Sequence, residues 1–140
     1  MFHSDGFHTL DRPECLRLLA KVPVGRVVYT RQALPAVLPV NFSLDTDSSV
    51  LLRTSASSVL VRAIDGVVVA FEADDFDAAS RSGWSVVVTG RATVVTDPAE
   101  HDRLSRSGPR SWVVARDGVF VRIESDMVTG REISGTPEPV

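Results

Sequence analysis

The stretch GWSVVVTGRATVVTD, residues 83–97, limits the folds open to this chain. It is rich in valine and threonine, which suit a pleated strand, and it carries one interior glycine. Gly90 adds no side chain to a ladder, so it marks a bulge or a bend, as the long strands of a barrel require. Other β-type segments surround it. GRVVYT (25–30) and VVVAFEAD (67–74) are short runs; PAVLPVNFSLD (35–45) alternates, with Ala36, Leu38, Val40, Phe42 and Leu44 on one face. TDSS (46–49) is a turn, and VLLRT (50–54) returns as the second arm of a hairpin. GVFVRIES and MVTGREI close the chain as strands. Three short helices interrupt them. DRPECLRLLAKV has Asp11 as cap and Pro13 in its first turn; SSVLVRAI follows the hairpin; DPAEHDRLSRS has Asp97 as cap and Pro98 at its first position. Strands do not alternate with long helices, so a doubly wound parallel sheet is not expected. About six strands predict a mainly β, antiparallel barrel with short helices at its ends.

A chain of 140 residues fits one domain with a core of its own, here residues 1–133, with SGTPEPV (134–140) expected as a disordered tail. Net charge is −3, so no excess of basic charge points to nucleic acid. The single cysteine, Cys15, makes an internal disulfide impossible. With Leu18, Leu19 and Val22 it shares a helical face, the place of a small buried apolar residue. No apolar run is long enough to span a membrane, and MFHSDGFHTLDR lacks the basic start and apolar centre of a signal peptide. The cytoplasm is the expected location.

Several patterns carry no chemistry. GWSVV has Val87 where a nucleophile elbow needs glycine. His3, His8 and His101 lie far apart, the first two in a segment expected to fray. EADDFD (72–77) lacks the glycine of a calcium loop and reads as a solvated turn. Two patterns remain. Arg53, Thr54, Ser55, Ser57 and Ser58 crowd a strand-to-helix junction, which suits either a phosphate or a well-capped helix. In LPVNF (38–42), Pro39 removes a ladder N–H beside Val40 and Asn41, which suits either a plain edge strand or backbone that meets a planar polar ring. Both lie on one hairpin. A ligand with a phosphate at one end and a flat heterocycle at the other, such as flavin mononucleotide (FMN), spans them.

These segments, taken in order from about Glu14 to Ile133, resemble the pyridoxamine 5′-phosphate oxidase-like family of flavin-binding split β-barrels, in particular its small actinobacterial-type members. The resemblance implies a six-stranded split barrel, a homodimer, and FMN in a groove at the dimer interface. It implies that Arg53, Thr54, Ser55, Ser57 and Ser58 take the phosphate, that Pro39, Val40 and Asn41 lie along the ring, and that Trp84 and Ser85 approach the cofactor across the interface. It implies a flavin-dependent oxidoreductase acting on a small molecule. Two alternatives stay open: the 5-deazaflavin coenzyme F-420 in place of FMN, and a dimer without catalysis that binds flavin weakly or not at all. The chain departs from the family pattern in one place. Ser57 and Val59 stand where glycine and lysine are common, so a basic partner for the phosphate is missing.

Overall fold

The computed structural model describes residues 6–110, 112 and 117–135. In chain order the elements are β1 (His8–Leu10), α1 (Arg12–Leu19), β2 (Val24–Arg31), β3 (Leu34–Leu44), β4 (Val50–Ser55), α2 (Val59–Ile64), β5 (Val68–Asp77), β6 (Ser82–Val94), α3 (Pro98–Ser107), β7 (Gly118–Ile123) and β8 (Met127–Ile133). Every strand pairing is antiparallel. The sheet order is β1-β8-β6-β5-β2-β3-β4-β7, and a further β6–β7 pairing closes six of these strands into a barrel. β8 and β1 extend the sheet outside the closure.

The closure depends on β6 changing partner. Residues 83–89 pair with β8, while Ala92, Thr93 and Val94 pair with β7. The change falls at Gly90, the bend that the sequence marks. The Glu124 carbonyl lies where a side chain on Gly90 would go, and the Glu124 N–H donates to the Arg91 carbonyl at 3.0 Å. Alternate residues of the six strands fill the barrel: Val27, Phe42, Leu52, Phe71, Val88 and Val121 are among those buried there. A smaller cluster of Leu51, Leu104 and Phe120 packs α3 against the outside of β4 and β7.

The helices begin where their caps place them. Asp11 accepts from the Glu14 N–H, Asp97 from the Glu100 N–H, and Ser58 from the Val61 N–H. Cys15 is buried as expected, against Gly130, where a side chain would collide with its sulfur. Burial pushes its thiol pKa up, with Asp11 and Glu14 adding to the shift. α3 is anchored by charge as well as by Leu104. Asp45 accepts from Arg103 at 2.9 Å and from Arg122 at 2.8 Å, and Arg122 also pairs with Glu100. The Arg103 hydrogen bond, with help from the Thr46 N–H and Arg122, holds the Asp45 carboxyl far below the usual range against the opposing effect of burial.

Three expectations need correction or completion. His8 does not fray: it opens β1, pairs with Glu132 of β8 and sits 3.6 Å from that carboxylate. His3 lies outside the described residues, as do 136–140 of the expected tail; Gly135 is described and approaches the Ser80 carbonyl. EADDFD is not a turn, because β5 continues to Asp77. Glu72 and Asp74 fit a strand because they alternate with buried Phe71 and Ala73; Asp75, Phe76 and Asp77 are exposed at its end.

β2 and β3 form a hairpin whose two linking residues, Gln32 and Ala33, both have positive φ, 51° and 64°. That is the requirement of a type I′ turn, which Asn-Gly meets at least cost. The double variant Gln32→Asn/Ala33→Gly is therefore expected to stabilise the fold by about 1 kcal/mol, roughly 3–6 °C in melting temperature. Thermal unfolding followed by circular dichroism checks this; an unchanged or lower melting temperature contradicts the turn assignment.

Candidate functional site

Paired residues on neighbouring strands point to the same side of a sheet, and successive residues alternate. Val27, Phe71, Val86 and Val88 face the barrel interior. Their alternates therefore face outward. One outward row runs Pro39, Arg26, Glu72, Val87; a second holds Asn41 opposite Val24, and Asp74 opposite Ser85. Pro39 and Asn41 thus share one outer face with Ser85, three strand spacings away, or roughly 14 Å. Arg53 and Ser55 continue that face onto β4, since Leu52 and Thr54 alternate with them toward the interior.

The remaining expected residues lie elsewhere. Val40 packs against the core from the inner side of β3. Trp84 is only 8% exposed and belongs to the core of its own chain, behind the sheet. Ser58 caps α2, and the Thr54 hydroxyl donates to it at 3.5 Å. Val59, at the position where the family often has lysine, is 46% exposed on the first turn of α2.

The hydroxyl turn is filled by the chain itself. The Ser55 hydroxyl donates to Asp117 Oδ1 at 2.7 Å, and the Ser57 N–H is shared between Asp117 Oδ2 and Ser55 Oγ, each at 3.3 Å. The Ser55 and Ser57 hydroxyls lie 2.9 Å apart. The Ser55 hydrogen bond, joined by those from Ser57, holds the Asp117 carboxyl below the ordinary carboxylate range, so it stays ionised. The Arg53 guanidinium lies over the Phe120 ring, 5.3 Å from its centroid. Asn41 Oδ1 accepts from the Trp112 N–H at 3.1 Å. The outer face therefore suits the polar edge of a flat heterocycle, whereas the turn offers a phosphate few donors that are not already engaged.

β3 is an edge strand along much of its length. Residues 34–41 pair with β2 alone, and β4 joins only from Phe42. Pro39 lies within this stretch, where a missing N–H breaks no ladder on the far side. The exposed arm is apolar: Leu34 is 66% and Val37 62% exposed, with Val28 and Leu38 beside them. Val28 and Val37 are paired on the outer face, while Leu34 and Leu38 lie on the opposite face of the arm; an edge arm with exposed apolar residues on both faces suits an interaction surface.

At the centre of the outer face, Arg26 bonds Glu72 at 3.1 Å and Asp74 at 3.3 Å. Two carboxylates share one guanidinium. Burial and the neighbouring Asp74 raise the Glu72 pKa to about 7; Arg26 pulls the other way and does not offset them. The sequence does not mark this triad as a site, because EADDFD reads as a turn. The i, i+2 spacing of Glu72 and Asp74 was the available signal, since on a strand it puts both on one face. Asp117 was missed as well: only its Asp-Gly pair before a strand was visible. Among the described residues no cluster of His, Cys, Asp and Glu can hold a metal, and no helix is long and apolar enough to cross a membrane.

Comparison with known proteins places this geometry. Residues 11–132 match the pyridoxamine 5′-phosphate oxidase family, and the chain belongs to it. Rv0080 of Mycobacterium tuberculosis is 52% identical over 129 residues, covering 89% of this chain and 84% of that protein. The FAD binding protein of Mycobacterium smegmatis is 33% identical, with a TM-score of 0.71 over 91% of this chain and 98% of that one. The conserved protein DIP1874 of Corynebacterium diphtheriae is 35% identical, with a TM-score of 0.77 over 92% and 99% of the two chains. The fold is the family's split barrel.

The Glu72 environment has a consequence for stability. Its folded-state pKa of about 7 lies above the ordinary 4.5. Glu72 therefore contributes stability in full below pH 4.5 and loses it as pH rises through 7. Glu72→Gln is expected to raise stability at pH 8 by about 1–2 kcal/mol, allowing for solvent screening, and to change little at pH 4.5. Urea unfolding at both pH values measures the difference; equal effects at the two, or a loss at pH 8, contradict the assignment.

Proposed function

We propose that this chain is a cytoplasmic, homodimeric flavin-binding protein and a flavin-dependent oxidoreductase acting on a small molecule. One observation carries the reading: Pro39, Asn41, Arg26 and Ser85 share a continuous outer sheet face beside an exposed apolar arm. A flat ring laid on that face is open on its other side, whereas small-molecule sites bury most of their ligand. A second copy docked on the arm closes it. The kinship with an FAD binding protein from Mycobacterium smegmatis supports the ligand class.

A bound flavin supplies the electron and hydride chemistry; the chain binds and orients it. Asn41 offers an amide to the polar edge of the ring, and Ser85 a hydroxyl from the far end of the face. Arg26 keeps a fixed positive charge on the same surface. Trp84 supports the sheet from behind. Glu72 and Asp74 make the face a poor match for the acidic tail of a deazaflavin coenzyme, which favours an ordinary flavin over F-420.

The purified chain, incubated with riboflavin, FMN or FAD and then desalted, is expected to stay yellow and to show absorption bands close to those of the free flavin. Asn41→Ala is expected to weaken uptake of all three about 5- to 30-fold, because the ring contact is common to them. A colourless protein after each incubation contradicts the reading. So does an Asn41→Ala variant that binds all three as wild type does.

A further inference from the structure

The turn at Ser55–Ser57 already holds an anion, and that anion is part of the chain. Asp117 reaches it from the start of β7, accepting the Ser55 hydroxyl at 2.7 Å and the Ser57 N–H at 3.3 Å. The Asp117 carbonyl accepts the Ala56 N–H at 2.9 Å, so the backbone on each side of the carboxylate is fixed to the same turn. Arg53 is laid over Phe120, and position 59 is valine.

A phosphate entering this turn meets the carboxylate directly. How strongly it is opposed depends on its own charge. A terminal phosphate monoester, as in FMN, carries about −1.5 to −2 near pH 7. In FAD the phosphate nearest the ribityl chain is a diester with a single charge, and the second charge lies one phosphate further out. Riboflavin carries none. Like charges at close range disfavour binding in proportion to the charge product.

We infer that Asp117 is a specificity residue that bars a terminal phosphate from the Ser55–Ser57 turn and makes this chain discriminate against FMN in favour of FAD. The inference rests on the flavin reading above and goes beyond it by naming the flavin and the residue that selects it. Asp117 acts by charge; its hydrogen bonds to the turn are a separate, structural contribution. Asn at the same position keeps the shape and an acceptor oxygen for Ser55 and removes the charge.

The test is calorimetric titration of riboflavin, FMN and FAD into wild type and Asp117→Asn, with the melting temperature of each protein as a check on folding. Wild type is expected to bind FAD at least about tenfold more tightly than FMN. Asp117→Asn is expected to tighten FMN about 10-fold or more and FAD about threefold, and to leave riboflavin within twofold. A wild type that prefers FMN overturns the inference without any variant. An Asp117→Asn change that moves the three flavins alike, or none, also overturns it and leaves the carboxylate a cap. If riboflavin binds but the FMN-to-riboflavin ratio does not move, only this inference fails. If no flavin binds either protein, the flavin reading fails and the inference falls with it.

Discussion

The change of partner along β6 is the constraint on which the rest of the structure depends. A strand that stayed with β8 throughout leaves β7 unpaired on that side and the barrel open. At Gly90 the Glu124 backbone comes so close that any side chain at this position displaces it. The next residues then join β7, and the barrel closes. Closure puts β7 beside both β4 and β6, which brings Asp117 and Gly118, at its start, to the hydroxyl turn that ends β4. The same strand, before the bend, carries Ser85 outward and Trp84 inward. One glycine thereby sets both the core and the face on which the proposed flavin lies.

Charge is arranged differently on the two sides of this barrel. Around α3, Asp45 and Glu100 meet Arg103 and Arg122, so each carboxylate has a guanidinium partner. That network ties a helix to the barrel, and Asp45 is held ionised. On the outer face of β2 and β5, Glu72 and Asp74 share one guanidinium, that of Arg26. An unmatched carboxylate costs stability as it ionises, and natural sequences keep such arrangements mainly where the surface has another task. The apolar arm beside it, with Val37 and Leu34 exposed, carries the same implication.

Local chemistry made much of the fold legible. Asp11 and Asp97 each announce a helix start, and the structure has both as caps; Ser58, at a junction that suits a phosphate or a capped helix, caps α2. Gly90 marked the bend, and the period-2 pattern of residues 35–45 recovered β3 almost to its ends. The failures were of two kinds. The Gln32-Ala33 turn and the strand through EADDFD lack the residues that normally signal such structures, so tertiary pairing overrode local preference. Asp117 reaches Ser55 across 62 positions of sequence, and no local pattern reports a contact of that range. Of the expected site, Pro39, Asn41, Arg53, Ser55 and Ser85 share a face, because strand alternation and pairing put them there. Trp84 and Val40 alternate to the interior.

In the proposed complex a flavin lies on the outer face of β3, β2, β5 and β6, enclosed by a second copy seated on the apolar arm. Light scattering with in-line absorbance, on flavin-loaded wild type and on Val37→Glu, tests it most directly. Val37 is 62% exposed, so the charge is tolerated by the single chain and opposed only by a partner. The wild type is expected to run as a yellow species of twice the 15.1 kDa chain mass, and Val37→Glu as a colourless species at 15.1 kDa. A wild type that carries flavin at 15.1 kDa, or a monomeric Val37→Glu variant that keeps its flavin, contradicts it.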